Sequence, residues 1–147
     1  MSNARKVAVI TGASQGIGDA LVKAFLDRNY RVVATSRSIN ASSDPDVLAI
    51  AGDIGDPETG PRVIGEALAR FGRVDTLVNN AGIFISNPFT DYTAEQYARI
   101  VATNLTGFFL ISQPAVAAMA KQGRGHIVSI TTSIVTSANS QVPSVLA

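Results

Sequence analysis

Gly12, Gly16 and Gly18 stand at fixed offsets in the run Thr11-Gly12-Ala13-Ser14-Gln15-Gly16-Ile17-Gly18, directly after the apolar segment Val7-Ala8-Val9-Ile10. A glycine-rich turn between a buried strand and a helix N-terminus suits a pyrophosphate. The helix end offers unpaired N–H groups and about half a positive charge, and glycine lets phosphates approach the main chain closely. Gly12 is expected to make the tight turn, Gly16 the close approach, and Gly18 the contact between helix and strand. An ordinary strand–helix turn is the plain alternative. The spacing G-x-x-x-G-x-G also differs from the G-x-G-x-x-G of the general dinucleotide fingerprint. Three further groups follow it along the chain: Asp53, the tetrapeptide Asn79-Asn80-Ala81-Gly82, and Asn104 together with the hydroxyl-rich end Thr131-Thr132-Ser133.

Other chemistries are excluded by composition. The 147 residues hold 12 basic and 11 acidic side chains, a net charge of +1 with no basic cluster, which argues against a nucleic-acid surface. Cysteine is absent and there is one histidine, so disulfides, thiolate catalysis and a metal site are not expected. A hydrophobic fraction of 46% against 16% charged residues describes a folded chain of one domain. No signal-peptide pattern precedes Lys6, and no 18-residue apolar run is read from the sequence, so no membrane span is expected and the cytoplasm is the default location.

Short apolar runs alternate with helical periodicity, the pattern of β-α units on a parallel sheet. Strands are expected at Lys6–Thr11, Arg31–Ser36, Val47–Ala51, Val74–Val78 and His126–Thr131. Helices are expected from Gly16 to Arg28 and from Pro57 to Phe71, the latter weakened by Gly60, Pro61 and Gly65. Thr93–Asn104 and Thr106–Lys121 read as two helices divided near Asn104-Leu105-Thr106-Gly107. Ser38–Asp46 and Ile83–Tyr92 read as loops. Strands that are apolar without alternation have helices on both faces. The expected fold is therefore α/β, a three-layer doubly wound parallel sheet of Rossmann type with the order 3-2-1-4-5-6, truncated after the fifth strand. Residues 1–147 read as a single dinucleotide-binding domain, the front part of a larger one whose C-terminal part is not represented.

The motifs Thr11–Gly18 and Asn79–Gly82, with Asp53, Asn104 and the segment His126–Ser133, resemble the short-chain dehydrogenase/reductase family in its TGxxxGIG and NNAG signatures, from Arg5 to about Ser133. The resemblance implies that Gly12, Ser14, Gln15, Gly16, Ile17 and Gly18 serve the dinucleotide phosphates and adjoining ribose. It implies that Asp53 and the Ile54 main chain meet adenine, and that Asn80, Ala81 and Gly82 hold strand four against the cofactor. Asn104 matches the asparagine that breaks a helix and orders a water in the proton relay. Each has a plainer alternative: an exposed loop acid, a packed asparagine turn, or an asparagine bonded to its own backbone.

A nicotinamide cofactor so implied can be sorted by charge. An acidic residue ending strand two would select NAD, whereas Ser36 and Arg37 stand there and suit a 2′-phosphate through charge-assisted bonds of about 1.5–3 kcal/mol. NADP(H) is favoured and NAD(H) stays open, with a solvated arginine as the plain alternative; Gln15 adds no charge.

The resemblance further implies hydride transfer between cofactor and a small carbonyl or alcohol, with a tyrosine as general acid/base, a lysine lowering its pKa, and a serine binding the substrate oxygen. Thr132 aligns with the serine, and Ser133 is the neighbouring candidate if the register slips by one. The tyrosine and lysine have no match, since the expected window, Val142–Ala147, holds neither, and Tyr30, Tyr92 and Tyr97 lie elsewhere. Loss of a general acid/base costs about 10²–10⁴ in rate, so these residues alone are not expected to turn over substrate. His126, at the start of strand five, reads as structural. A non-catalytic dinucleotide-binding or regulatory protein of the same fold is the alternative function. Phe84, Phe89 and Tyr92 suit an apolar wall or local packing. Relatives of this kind pair through the equivalent of 93–121, where Phe108, Phe109, Leu110, Val116 and Met119 are apolar.

Overall fold

A computed structural model describes residues 5–132. Five parallel strands, β1 (Val7–Thr11), β2 (Arg31–Ser36), β3 (Val47–Ala51), β4 (Thr76–Asn79) and β5 (His126–Ser129), form one sheet in the order β3-β2-β1-β4-β5. The reversal between β2-β3 and β4-β5 puts β1 at the centre, where all five of its residues are buried. The α/β doubly wound reading is thereby met.

Alternate residues of β1 feed two cores. Val7 and Val9 join Val33, Leu77, Val63, Ile64 and Ile111 on the face covered by α2 (Thr59–Phe71) and α4 (Gly107–Gln122). Ile10 joins Val32, Ala34 and Val78 against Leu21, Val22 and Phe25 of α1 (Gly16–Asp27). Each fully buried Val or Ile is worth about 1.5–3 kcal/mol of transfer free energy, which explains why the central strands tolerate no polar alternation.

Several element limits differ from the sequence expectation, each for a local reason. Helix α2 starts at Thr59 rather than Pro57, because Asp56 Oδ1 accepts from the main-chain N–H of Glu58 and turns the preceding residues. Gly60, expected only to weaken that helix, is where it crosses α4: a Cβ there would stand 2.4 Å from the Leu110 carbonyl oxygen. Val74 is not in a strand, since its N–H and C=O pair with the side-chain amide of Gln122 at 2.9 and 2.8 Å. Strand β5 stops at Ser129, because β4 offers only one more acceptor, the Asn79 carbonyl taken by Ile130 N–H.

The expected division near Asn104 is not a break. Helix α3 (Ala94–Val101), capped by a reciprocal Thr93–Gln96 box, passes through a π-helical turn at Ala102–Thr106 directly into α4. The resulting 29-residue helix, Ala94–Gln122, is long and apolar enough by length and composition to cross a membrane, with mean hydropathy 1.4 over its best window. This corrects the reading that no such run exists: fusing two helices joins a core-facing stripe (Ile100, Ile111, Ala115) to exposed apolar residues such as Leu105 and Phe109. Phe89–Asp91 adds a short 3-10 turn within the expected loop.

Candidate functional site

The turn after β1 and the turn after β4 are sewn together at the C-terminal end of the sheet. Thr11, the last residue of β1, is buried, and its Oγ1 accepts from the N–H groups of Asn80 (3.0 Å) and Ala81 (2.9 Å). In return Asn80 Nδ2 donates to the carbonyls of Thr11 (3.0 Å) and Gly12 (3.2 Å). Gly12, at φ +63°, leaves no room for a side chain, since a Cβ would sit 2.9 Å from Ala81 Cα. Gly18 lies beneath this junction with its own hypothetical Cβ 2.1 Å from the Gly12 carbonyl oxygen. Its close contact is therefore with the turn following the strand, rather than with the strand itself.

Gly16 differs from both. It adopts φ +57° and faces open space, with nothing within 4 Å of where a Cβ would point. It is the first residue of α1, whose N-cap, Gln15, makes no side-chain capping bond. The N–H groups of the first helical turn are thus left without a side-chain acceptor at an open concavity, an arrangement that favours an anion.

That concavity is a cleft of about 370 Å³ lined by Gly12, Ser14, Gln15, Gly16 and Ile17 from the first turn, Ser36 and Arg37 from the end of β2, Asp53 and Ile54 after β3, and Asn80, Ala81 and Gly82 after β4. Every residue expected to meet the dinucleotide is brought to it except Gly18, which supports the turn from below. At its β2 wall the hydroxyls of Thr35 and Ser36 are buried without a hydrogen-bond partner among the described residues. Arg37 is exposed beside them and forms no hydrogen bond or ion pair among the described residues. Asp53 Oδ1 accepts from Gly55 N–H at 2.9 Å, which shapes the loop that carries it, and Ile54 is buried against Gly107.

A second, larger cleft of about 780 Å³ opens beside the first and shares Thr11, Ile17, Ile54 and Asn80–Ile83 with it. Asn104, Thr132, Phe84 and Phe108 line it, so two of the three catalytic candidates face one space; Ser133 lies outside the described residues. Asn104 does not cap its own backbone. Its Oδ1 accepts from Ile83 N–H at 2.9 Å and its Nδ2 donates to Ile83 C=O at 3.0 Å, which ties the π-helical turn to the loop after β4. Phe89 is exposed and lines neither cleft, and Tyr92 turns its hydroxyl to the Ile85 carbonyl, so neither ring forms an apolar wall there. His126 pairs with Thr76 in the sheet register, at the end away from both clefts.

Sequence reasoning gave no role to Thr11, although it opens the glycine motif, and none to Thr35 or Thr103. Thr103 lines both clefts, and its signal was adjacency to Asn104. For Thr11 and Thr35 the signal was a hydroxyl closing an otherwise apolar strand.

Comparison with known proteins identifies the family and the fold. The family model described as short chain dehydrogenase matches residues 6–145. The chain is 36% identical over 140 residues to the 3-oxoacyl-(acyl-carrier-protein) reductase FabG of Escherichia coli (strain K12), covering 91% of this chain and 57% of the relative. It is 34% identical over 138 residues to the acetoacetyl-CoA reductase of Acinetobacter sp. (strain RA3849), covering 86% of this chain and 56% of the relative. The solved structure of ElxO with NADP bound superposes with a TM-score of 0.87 at 30% identity, over 97% of this chain and 60% of ElxO. The chain therefore spans little more than half the length of the relatives it matches.

Proposed function

The chain belongs to the short-chain dehydrogenase family, and from that premise we propose that it binds NADPH in preference to NADH and forms the cofactor-holding part of an oxidoreductase acting on a small carbonyl or alcohol. The observation that carries the reading is the open, uncapped start of α1 at Gly16, across the cleft from the Thr35 and Ser36 hydroxyls and the Arg37 guanidinium, none of which has a partner among the described residues. Phosphates fit the first wall: a side chain at Gly16 would occupy their place, and the free N–H groups would bond them. A 2′-phosphate fits the second, where Ser36 can donate a hydrogen bond and Arg37 supplies a planar, permanently charged donor set. ElxO, similar over nearly all of this chain, was solved with NADP.

A dinucleotide held there by the Gly12–Ile17 turn, Ser36 and Arg37 would supply or accept hydride at its nicotinamide. The chain's own residues position it. Thr11 and Asn80 fix the two turns that form the floor, and Asn104 holds Ile83 where the two clefts meet. Thr132, on the wall of the larger cleft, is the hydroxyl offered to the substrate oxygen, with Ser133 its neighbour in sequence. No Tyr-x-x-x-Lys occurs in these 147 residues, so they bind and orient without supplying the general acid/base. The named relatives are reductases, which favours an enzyme over a non-catalytic binding module. Leu105, Phe109 and Val116, exposed along one side of the long helix, are the surface on which a second copy would pair; Leu110 and Met119 are drawn toward the interior instead.

Calorimetric titration of the chain with NADPH and NADH tests the proposal. The expected result is binding of both, with NADPH tighter by about ten- to a hundredfold, the worth of one charge-assisted contact. Binding of neither, or tighter binding of NADH, overturns it.

A further inference from the structure

A third cavity, also of about 370 Å³, opens from the adenosine end of the first cleft, and Arg37, Asp53, Asp56, Arg99 and Thr103 stand around it. The Asp53–Asp56 turn lies directly on the long helix, where a Cβ at Gly55 would stand 3.1 Å from the Ala102 carbonyl oxygen. Thr103 belongs to the first cleft as well, and Arg99 precedes it by four residues, so Arg99 extends the same helical wall by one turn. Asp53 and Asp56 each give one carboxylate oxygen to their own loop, at Gly55 N–H and Glu58 N–H, and keep further acceptor positions. The Arg99 guanidinium, like that of Arg37, has no hydrogen bond or ion pair among the described residues, although both carboxylates border the same space.

Two cations and two anions cancel, so this lining does not suit another phosphate. It suits a neutral planar group that offers both donors and acceptors at its edge. Adenine is such a group, with an exocyclic amine flanked by ring nitrogens. Resting on the dinucleotide reading above, we propose that Arg99 is a specificity residue for the cofactor's base, donating from its guanidinium to the ring nitrogens of adenine while Asp53 accepts from the amine. Arg37 and Arg99 then divide the work, the first reading the 2′-phosphate and the second the base.

The division is testable by calorimetry with NADPH, NADH and ADP-ribose on three forms of the chain: wild type, Arg99→Ala and Arg99→Lys. Arg99 is exposed, and unchanged thermal melting will verify that the variants fold. Both variants are expected to weaken all three compounds by a common factor of about ten, because lysine keeps the charge but not the planar donor set. Wild-type affinity in Arg99→Lys would reduce the effect to long-range charge and overturn the proposal. So would a loss confined to NADPH, or no loss at all. Failure of the wild-type chain to bind either dinucleotide would instead remove the reading on which the inference rests.

Discussion

Asn104 and Ile83 pair as though they were adjacent residues of two strands, the side-chain amide of the first meeting both main-chain groups of the second at 2.9 and 3.0 Å. The contact locks the loop after β4 to the π-helical turn at Ala102–Thr106. Asn104→Ala would leave a half-buried N–H and C=O without those partners, at a cost of about 1–3 kcal/mol. Urea denaturation of the variant should show a lower midpoint with an unchanged slope. An unshifted midpoint would mean that water replaces the amide without penalty.

Thr11 performs the equivalent task one strand away. Thr11→Val keeps the shape and removes the oxygen that accepts from Asn80 and Ala81, whereas Thr11→Ser keeps the oxygen. The valine variant should lose about 2 kcal/mol or more and bind NADPH more weakly, while the serine variant stays near wild type. Equal behaviour of the two in thermal melting would argue that the methyl group, rather than the hydroxyl, holds the junction.

Arg37 and Gly16 separate the two halves of cofactor recognition. Arg37→Ala should weaken NADPH by about ten- to a hundredfold and leave NADH nearly unchanged. Gly16→Val should abolish binding of both, because valine is strained at φ +57° and its side chain enters the open cradle. Far-ultraviolet circular dichroism of that variant should retain the helical signal. Equal loss of both cofactors in Arg37→Ala would remove it from the 2′-phosphate.

Most of the fold was legible because β1 and β2 are continuous apolar runs bounded by polar residues. The dinucleotide candidates converge because a doubly wound sheet places successive strand-end turns along one edge. What escaped the sequence depends on partners far along the chain. Val74 reads as the start of a strand until Gln122, 48 residues later, takes its main-chain groups. Asn104-Leu105-Thr106-Gly107 reads as a helix end, yet Asn104 spends its amide on Ile83 and the helix widens by a residue instead of stopping. Gly107 carries no special reading in the sequence, yet its hypothetical Cβ would stand 2.6 Å from Ile54 Cγ2, so it marks a close approach.

At the opposite end of the sheet, Asp75 sets how stability responds to acid. Its carboxylate, only 7% exposed, accepts from Val7 N–H at 2.9 Å and from Arg73 Nε at 2.7 Å. Burial alone would push this carboxyl up. The Arg73 hydrogen bonds, the Val7 N–H and the charges of Arg73 and Arg124 outweigh burial and hold it below its ordinary value of 3.8. A carboxyl whose pKa is lower in the folded than in the unfolded chain binds fewer protons when folded. Its contribution is therefore present above about pH 4 and lost as pH falls through the folded value. Unfolding free energy measured between pH 6 and pH 2.5 should decline with acid in the wild-type chain. Asp75→Asn should start lower, since its amide nitrogen cannot accept the second of the two Arg73 bonds and the charge is gone, and decline less steeply over the same interval. Parallel curves for the two forms would place the acid sensitivity on other carboxylates.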